Sequence, residues 1–398
     1  MPLRPRGLFV TAVQLSFAAA IALGLARFSY ALLLPPMKAS LGWSYAEAGA
    51  LNTANAIGYL IGALAYPLLA RRFSPATQVA AGCLVVTAVM AGAGVLTDFD
   101  ALLAQRLACG VCSALIFVGG GVLAARLASQ HPQQAGLVLG VYYGGTGWGI
   151  TLAALLVPWA RGTAPLGWQY AWVALAIGCA AFAAVAWPAM RRISATAEPV
   201  TTPQAAGSPR LHLMSRLLLA YSLFGVGYIG YMTFIIALLR AAGLGEGGIT
   251  VFYLVLGLAT ALSGRIWSGL LQRAQGGGAF AFLSLLLALA TLMPALTGRP
   301  AAAFVSGLLF GATFLAVVSS TTAFVRHNLP RPGWSTGISL FTIAFALGQI
   351  VGPVLMGYIA DGTGLARGFI CSAGVLFLAA LLAAGQGPLR IGTPVAAS

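Results

Sequence analysis

Apolar residues run along this chain in blocks of about 20, each closed by a short polar break. A helix rises about 1.5 Å per residue, so a block of that length crosses the roughly 30 Å hydrocarbon layer of a bilayer. Such blocks fall at residues 8–34, 47–69, 77–96, 101–125, 135–158 and 168–190, and again at 214–239, 248–271, 278–296, 301–324, 335–359 and 367–386. The pattern predicts an all-α membrane protein of twelve transmembrane helices. Its longest polar stretch, 191–213, contains TAEPVTTPQAAGSPR and has the Pro, Ser and Thr content of a linker. Six spans precede it and six follow, which suggests an internal repeat. The expected organisation is a six-helix bundle at 1–190, a cytoplasmic linker at 191–213 and a pseudo-symmetric six-helix bundle at 214–398.

Composition agrees. The chain is 60% hydrophobic and 7% charged, where a water-soluble domain carries roughly 25% charged residues. The net charge of +15 does not point to nucleic acid, because the arginines sit singly or in pairs at the ends of apolar blocks and form no basic face. They follow the positive-inside rule instead. With a cytoplasmic N-terminus, fourteen of the 21 basic residues, from Arg4 to Arg390, fall on the inner side. Lys38, Arg161, Arg240, Arg299 and Arg367 fall outside, and Arg27 and Arg106 lie within spans. Both termini are expected in the cytoplasm of a bacterium, with the chain in its inner membrane. The first block, preceded by Arg4 and Arg6, is too long for a signal-peptide core and reads as a retained span. Cys109-x-x-Cys112 has no second pair, His or carboxylate beside it, so the cysteines read as packing residues; no metal or other cofactor is expected.

Several segments resemble the major facilitator superfamily, and more narrowly its YbfB/YjiJ-type branch. They are GLARFSYALLLPPM from Gly24 to Met37, the run from Asn55 to Gly62, and Arg106-x-x-x-Gly110-x-x-x-Ala114. The segment Phe345-Ala-Leu-Gly-Gln349-x-x-Gly-Pro353, with Asp361 beyond it, completes the set. The resemblance covers nearly the whole chain and implies two bundles rocking about a midplane site by alternating access. The loop after span 2 departs from the family pattern: it reads Arg71-Arg72-Phe73-Ser74, without the usual acid and with serine in place of glycine. Span 5 carries Gly140, Gly144, Gly145, Gly147 and Gly149, similar to the antiporter glycine motif without its proline.

Arg27 stands deep in span 1. A charge there is costly unless it faces a wet cavity or a partner; the structural alternative is an arginine snorkelling to the headgroups. Tyr30 lies one turn away. Arg106, one to two turns into span 4, either lines the cavity or pairs with Asp98 or Asp100. Asn52, Asn55 and Tyr59 share a face of span 2, and Tyr221, Phe224, Tyr228 and Tyr231 share a face of span 7. Tyr142, Trp148 and Gln349 complete the candidate lining, each with plain helix packing as its alternative. No Asp or Glu falls mid-span, so a coupling proton has no obvious carboxylate there, and the positive cavity favours an organic anion. Glu47 reads as half of a capping box with Ser44, and Asp361 as structural.

An ATP-driven pump is excluded from this chain because its single lysine, Lys38, precedes Ala39 rather than Ser or Thr. A membrane enzyme would need titratable groups clustered at one depth, and the acids here are scattered at span ends. The expectation is a non-enzymatic secondary transporter of a small organic solute in a lipid bilayer, with a channel or sensor of the same fold as the alternative. Single cysteines placed near each terminus should both react with impermeant maleimide only from the cytoplasmic side; labelling from opposite sides would break the twelve-span topology.

Overall fold

The computed structural model describes residues 5–162, 166–195, 211–330 and 333–389, and is helical wherever it is regular. The helices are α1 (Pro5–Ala19), α2 (Tyr30–Leu41), α3 (Tyr45–Leu69), α4 (Pro75–Gly92), α5 (Phe99–Ser129), α6 (Ala135–Arg161) and α7 (Gly167–Ala195). They continue with α8 (Ser215–Ala241), α9 (Glu246–Ile266), the short α10 (Ser268–Arg273), α11 (Gly278–Thr297), α12 (Pro300–Asn328), α13 (Trp334–Thr363) and α14 (Leu365–Ala384). Between α1 and α2 the chain stays helical but widens into a π-helix over Ala20–Phe28, so these three pieces form one long span. Ten helices are long and apolar enough to cross a membrane. With α3 and α6, at 25 and 27 residues, they make the twelve expected spans. These two are less apolar because α3 carries Asn52, Asn55 and Tyr59 and α6 is rich in glycine. Most of the linker, 196–210, lies outside the described residues.

Local chemistry sets the helix ends. Ser44 Oγ accepts from the Glu47 amide at 3.1 Å while the Glu47 carboxylate accepts from the Ser44 amide at 2.8 Å, the expected capping box on α3. Ser74, the residue that departs from the family loop, caps α4 by accepting from the Thr77 amide at 3.1 Å, with Pro75 at the first helical position. Asp98 caps α5 through the Ala101 amide at 2.9 Å. Span 1 runs past Pro35 and Pro36 to Leu41, beyond the predicted Leu34, and stops at Gly42, whose φ of 70° suits glycine.

Each half repeats one packing scheme. In the first, α3 packs on α5, α4 on α5 and α7, and α1 on α6 and α7. In the second, α9 packs on α12, α11 on α12 and α14, and α8 on α13 and α14. The seam between halves obeys the same symmetry: α6 meets α9, and α3 meets α13. Glycines let these backbones touch. A β-carbon on Gly144 would lie 2.8 Å from the Ala261 carbonyl oxygen, and one on Gly147 would strike the Gly257 carbonyl. Across the other seam, one on Gly357 would lie 2.6 Å from Ala46 Cα.

Polar ties cross the seam at one end. The Asp361 carboxylate accepts from the Tyr45 and Ala46 amides at 2.8 and 2.9 Å, filling two of the free N–H groups at the start of α3. Asp361 thus has the structural role expected of it, but on a helix of the opposite half. Glu246 pairs with Arg161 at 2.7 Å and Arg240 at 2.9 Å, tying the end of α6 to the α8–α9 turn. Deeper, Thr53 Oγ1 donates to the Ile350 carbonyl at 2.7 Å. No comparable packing joins α5 to α12. Gly147→Val should overpack the α6–α9 seam and destabilise the folded protein by about 1–3 kcal/mol, read as a lower thermal midpoint in detergent. An unchanged midpoint would mean that the two backbones are not in contact.

Candidate functional site

The site begins with the irregular winding of span 1. In the π-helical stretch the Ser29 amide reaches back five residues to the Gly24 carbonyl at 3.1 Å. Such turns disturb the regular ladder and are frequent at functional positions. In a dry bundle the displaced carbonyls need donors from elsewhere. Ser29 Oγ donates to Leu25 O at 2.5 Å, Arg106 Nη1 to Ala26 O at 2.8 Å, and the Tyr253 hydroxyl, from α9 in the other half, to Phe28 O at 2.5 Å.

Arg106 is fully buried, and both of its terminal nitrogens are engaged, while its Nε has no partner. Its Nη2 donates to Asn52 Oδ1 at 3.2 Å, and its guanidinium lies 4.8 Å from the Tyr30 ring centre and 5.8 Å from that of Trp172. Asn52 Nδ2 in turn donates to Thr233 Oγ1 at 2.6 Å, carrying the network into α8. Asn55 Nδ2 donates to the Arg106 carbonyl at 3.1 Å, and the Tyr30 hydroxyl to the Ala48 carbonyl at 2.9 Å. Of the two alternatives for Arg106, the pair with Asp98 or Asp100 is not formed. Asp98 is occupied as a helix cap, and the arginine is drawn inward by a carbonyl that the π-winding leaves without its usual partner.

Arg27 is in the opposite situation. It sits about 21 Å along the helix from Leu41, with 2% of its surface exposed. Its Nε and Nη2 are buried and have no hydrogen-bond partner. The guanidinium lies 5.4 Å from the Tyr59 ring centre, a cation–π contact. The Tyr59 and Tyr228 hydroxyls are within its electrostatic reach. Gln349 Nε2 donates to the Tyr228 hydroxyl, leaving Gln349 Oε1 buried and unpartnered. Buried polar groups are almost always paired, and an unpaired charge is the costliest exception. An arrangement that leaves the N–H edge of one guanidinium open, next to tyrosine and amide groups from three other helices, can grip a carboxylate in two-point fashion.

The remaining candidates divide. Arg27, Tyr59, Tyr228 and Gln349 converge at the seam, and Tyr30, Asn52, Asn55 and Arg106 form the network behind them. Tyr142 is spent on the Phe117 carbonyl at 2.7 Å. Tyr231 is held in the second bundle by Ser306 at 2.8 Å and stacks on Phe310 with centroids 3.8 Å apart. Trp148, 45% exposed, lies on an outward stripe with Leu155 and Trp159, so its placement in the lining is corrected. Residues not anticipated include Tyr143, which is partly open and within reach of the Tyr59 hydroxyl, and Phe345, Tyr253 and Thr233. Among the described residues no three His, Cys, Asp or Glu side chains are grouped to hold a metal ion.

The two arginines should respond oppositely to neutralisation. Arg106→Leu strips donors from Ala26 and Asn52 and should destabilise the fold by about 3 kcal/mol. Arg27→Gln removes an uncompensated charge and should leave the thermal midpoint unchanged or raised. Equal losses for both would show that Arg27 is held by the protein itself.

Comparison with known proteins agrees with this architecture. The chain is 28% identical over 377 residues to a chloramphenicol resistance protein of Streptomyces lividans, covering 92% of this chain and 93% of that one. It is 25% identical over 361 residues to the inner membrane transport protein YdhP of Escherichia coli K12, covering 88% and 89%. Among solved structures, the nucleoside transporter NupG superposes with a TM-score of 0.71 at 14% identity, covering 95% of this chain and 98% of NupG. A bacterial homologue of the human lysosomal transporter Spinster, inward-facing and unoccupied, gives 0.69 at 14% identity, covering 96% of each chain. The family model described as "Uncharacterised MFS-type transporter YbfB" matches residues 19–384, and the chain belongs to that family of inner-membrane transport proteins within the major facilitator superfamily.

Proposed function

We propose that this chain is a secondary active transporter that moves a small organic anion by alternating access, with Arg27 as the anion anchor. The observation that carries the proposal is the buried Arg27 guanidinium whose Nε and Nη2 have no partner. Holding a bare charge in this place makes physical sense when the charge is completed by a solute. Arg106 serves a different purpose: it supports the π-wound backbone that presents Arg27. The units that rock are the bundles at 1–190 and 214–398, joined through 191–213, with both termini in the cytoplasm. The glycine contacts of the α6–α9 and α3–α13 seams support such motion, because flat backbone faces can slide without interlocked side chains. The ties made by Asp361 and Glu246 then close the outer end. Transport by relatives such as YdhP is consistent with this function.

Reconstituted in proteoliposomes, the protein should show saturable uptake and counterflow of an organic anion. Removing one partner of a buried charged contact costs about 2–5 kcal/mol, so Arg27→Gln should lower kcat/KM at least about 30-fold while inserting normally. Linear flux without counterflow would instead mark a channel, and an active Arg27→Gln variant would remove Arg27 from the site.

A further inference from the structure

Given Arg27 as the anion anchor, we infer that the transported anion is a monocarboxylate carried on a planar aromatic body. The charge count comes first. Among the described residues only Arg27 presents two unpartnered buried nitrogens, Nε and Nη2, along one edge of its guanidinium; Arg106 has both terminal nitrogens engaged, and the sole lysine, Lys38, lies over the Tyr45 ring. One open guanidinium edge matches one carboxylate.

The walls come second. Tyr59 stands over Arg27 from α3. Tyr143, from α6, packs against Phe117 with centroids 5.6 Å apart. From the other half, Tyr228 stacks on Phe345, 5.4 Å apart and nearly parallel. Tyr59, Tyr143, Phe117 and Phe345 each keep part of their surface open, whereas the rings behind them are sealed: Phe224 is 4.9 Å from Tyr228 and completely buried. Partly open rings backed by buried rings set an aromatic wall beside a single charge. A hydrophilic anion would gain only from the guanidinium. An aromatic carboxylate gains from both, through stacking and the removal of apolar surface from water.

The test is a thermal-shift titration of the purified full-length protein in detergent with benzoate, acetate and the neutral isostere benzamide. Benzoate should raise the midpoint with half-saturation about 30-fold below that of acetate, and benzamide should leave the midpoint unmoved. Arg27→Gln should abolish the response to both anions. Phe345→Leu, which keeps apolar volume but removes the ring, should raise the benzoate half-saturation about 10-fold and that of acetate far less. Tyr59→Leu serves the same purpose if Phe345→Leu does not fold. Equal half-saturation for benzoate and acetate, with both responses lost in Arg27→Gln, would overturn the aromatic class and leave the anion site standing. No response to either anion in the wild-type protein would overturn the anchor and the class together.

Discussion

A bilayer offers no water to a stray carbonyl, and this constraint governs the middle of the molecule. Span 1 departs from α-winding over Ala20–Phe28, and three of its carbonyls are met by particular side chains. Ser29 serves Leu25, Arg106 serves Ala26, and Tyr253 reaches from the other bundle to serve Phe28. Without these three the wide turn would cost several kcal/mol. With them it becomes a rigid platform that presents Arg27 at mid-depth. Under the proposed function, the charge that binds and the charge that builds are separate arginines, and their hydrogen-bond inventories distinguish them.

The same platform couples the two halves. Tyr253 grips span 1 from α9, and Asn52 links Arg106 to Thr233 on α8. These contacts lie at the seam where glycine-lined backbones of α6 and α9, and of α3 and α13, meet in symmetric pairs. In the proposed mechanism, a solute that completes Arg27 acts beside groups that bond across the interface. The Asp361 and Glu246 ties sit at one end of that seam, and the proposed rocking would break them.

Much of this was legible in the chain itself. Apolar block length placed all twelve spans, because lipid thickness dictates it, and the Ser44–Glu47 capping box follows from local geometry alone. Arg27 was visible because a charge deep in an apolar block is conspicuous. For Arg106 the sequence leaves cavity lining and a pair with Asp98 or Asp100 both open, since the π-winding that frees Ala26 O leaves no mark in residue type. Tyr142 and Tyr143 are adjacent and about 100° apart around their helix, so only packing could reveal that Tyr142 is spent on Phe117. Trp148 faces outward because the glycine faces of α6 are taken up by span 1 and α9. Within span 7, Tyr228 and Tyr231 share a side, yet Ser306 claims Tyr231. Asp361, read as structural, holds a helix start more than 300 positions away in the chain, at Tyr45, a partner that local sequence does not name.

The account rests on an anion completing the Arg27 guanidinium, and a structure of the protein with 4-iodobenzoate tests it most directly, since anomalous scattering from iodine locates the ligand without ambiguity. The predicted result is a carboxylate within hydrogen-bond distance of Arg27 Nε and Nη2, with Arg106 still on Ala26 and Asn52. Iodine bound elsewhere, with Arg27 bonded only to protein groups in the loaded state, would contradict it.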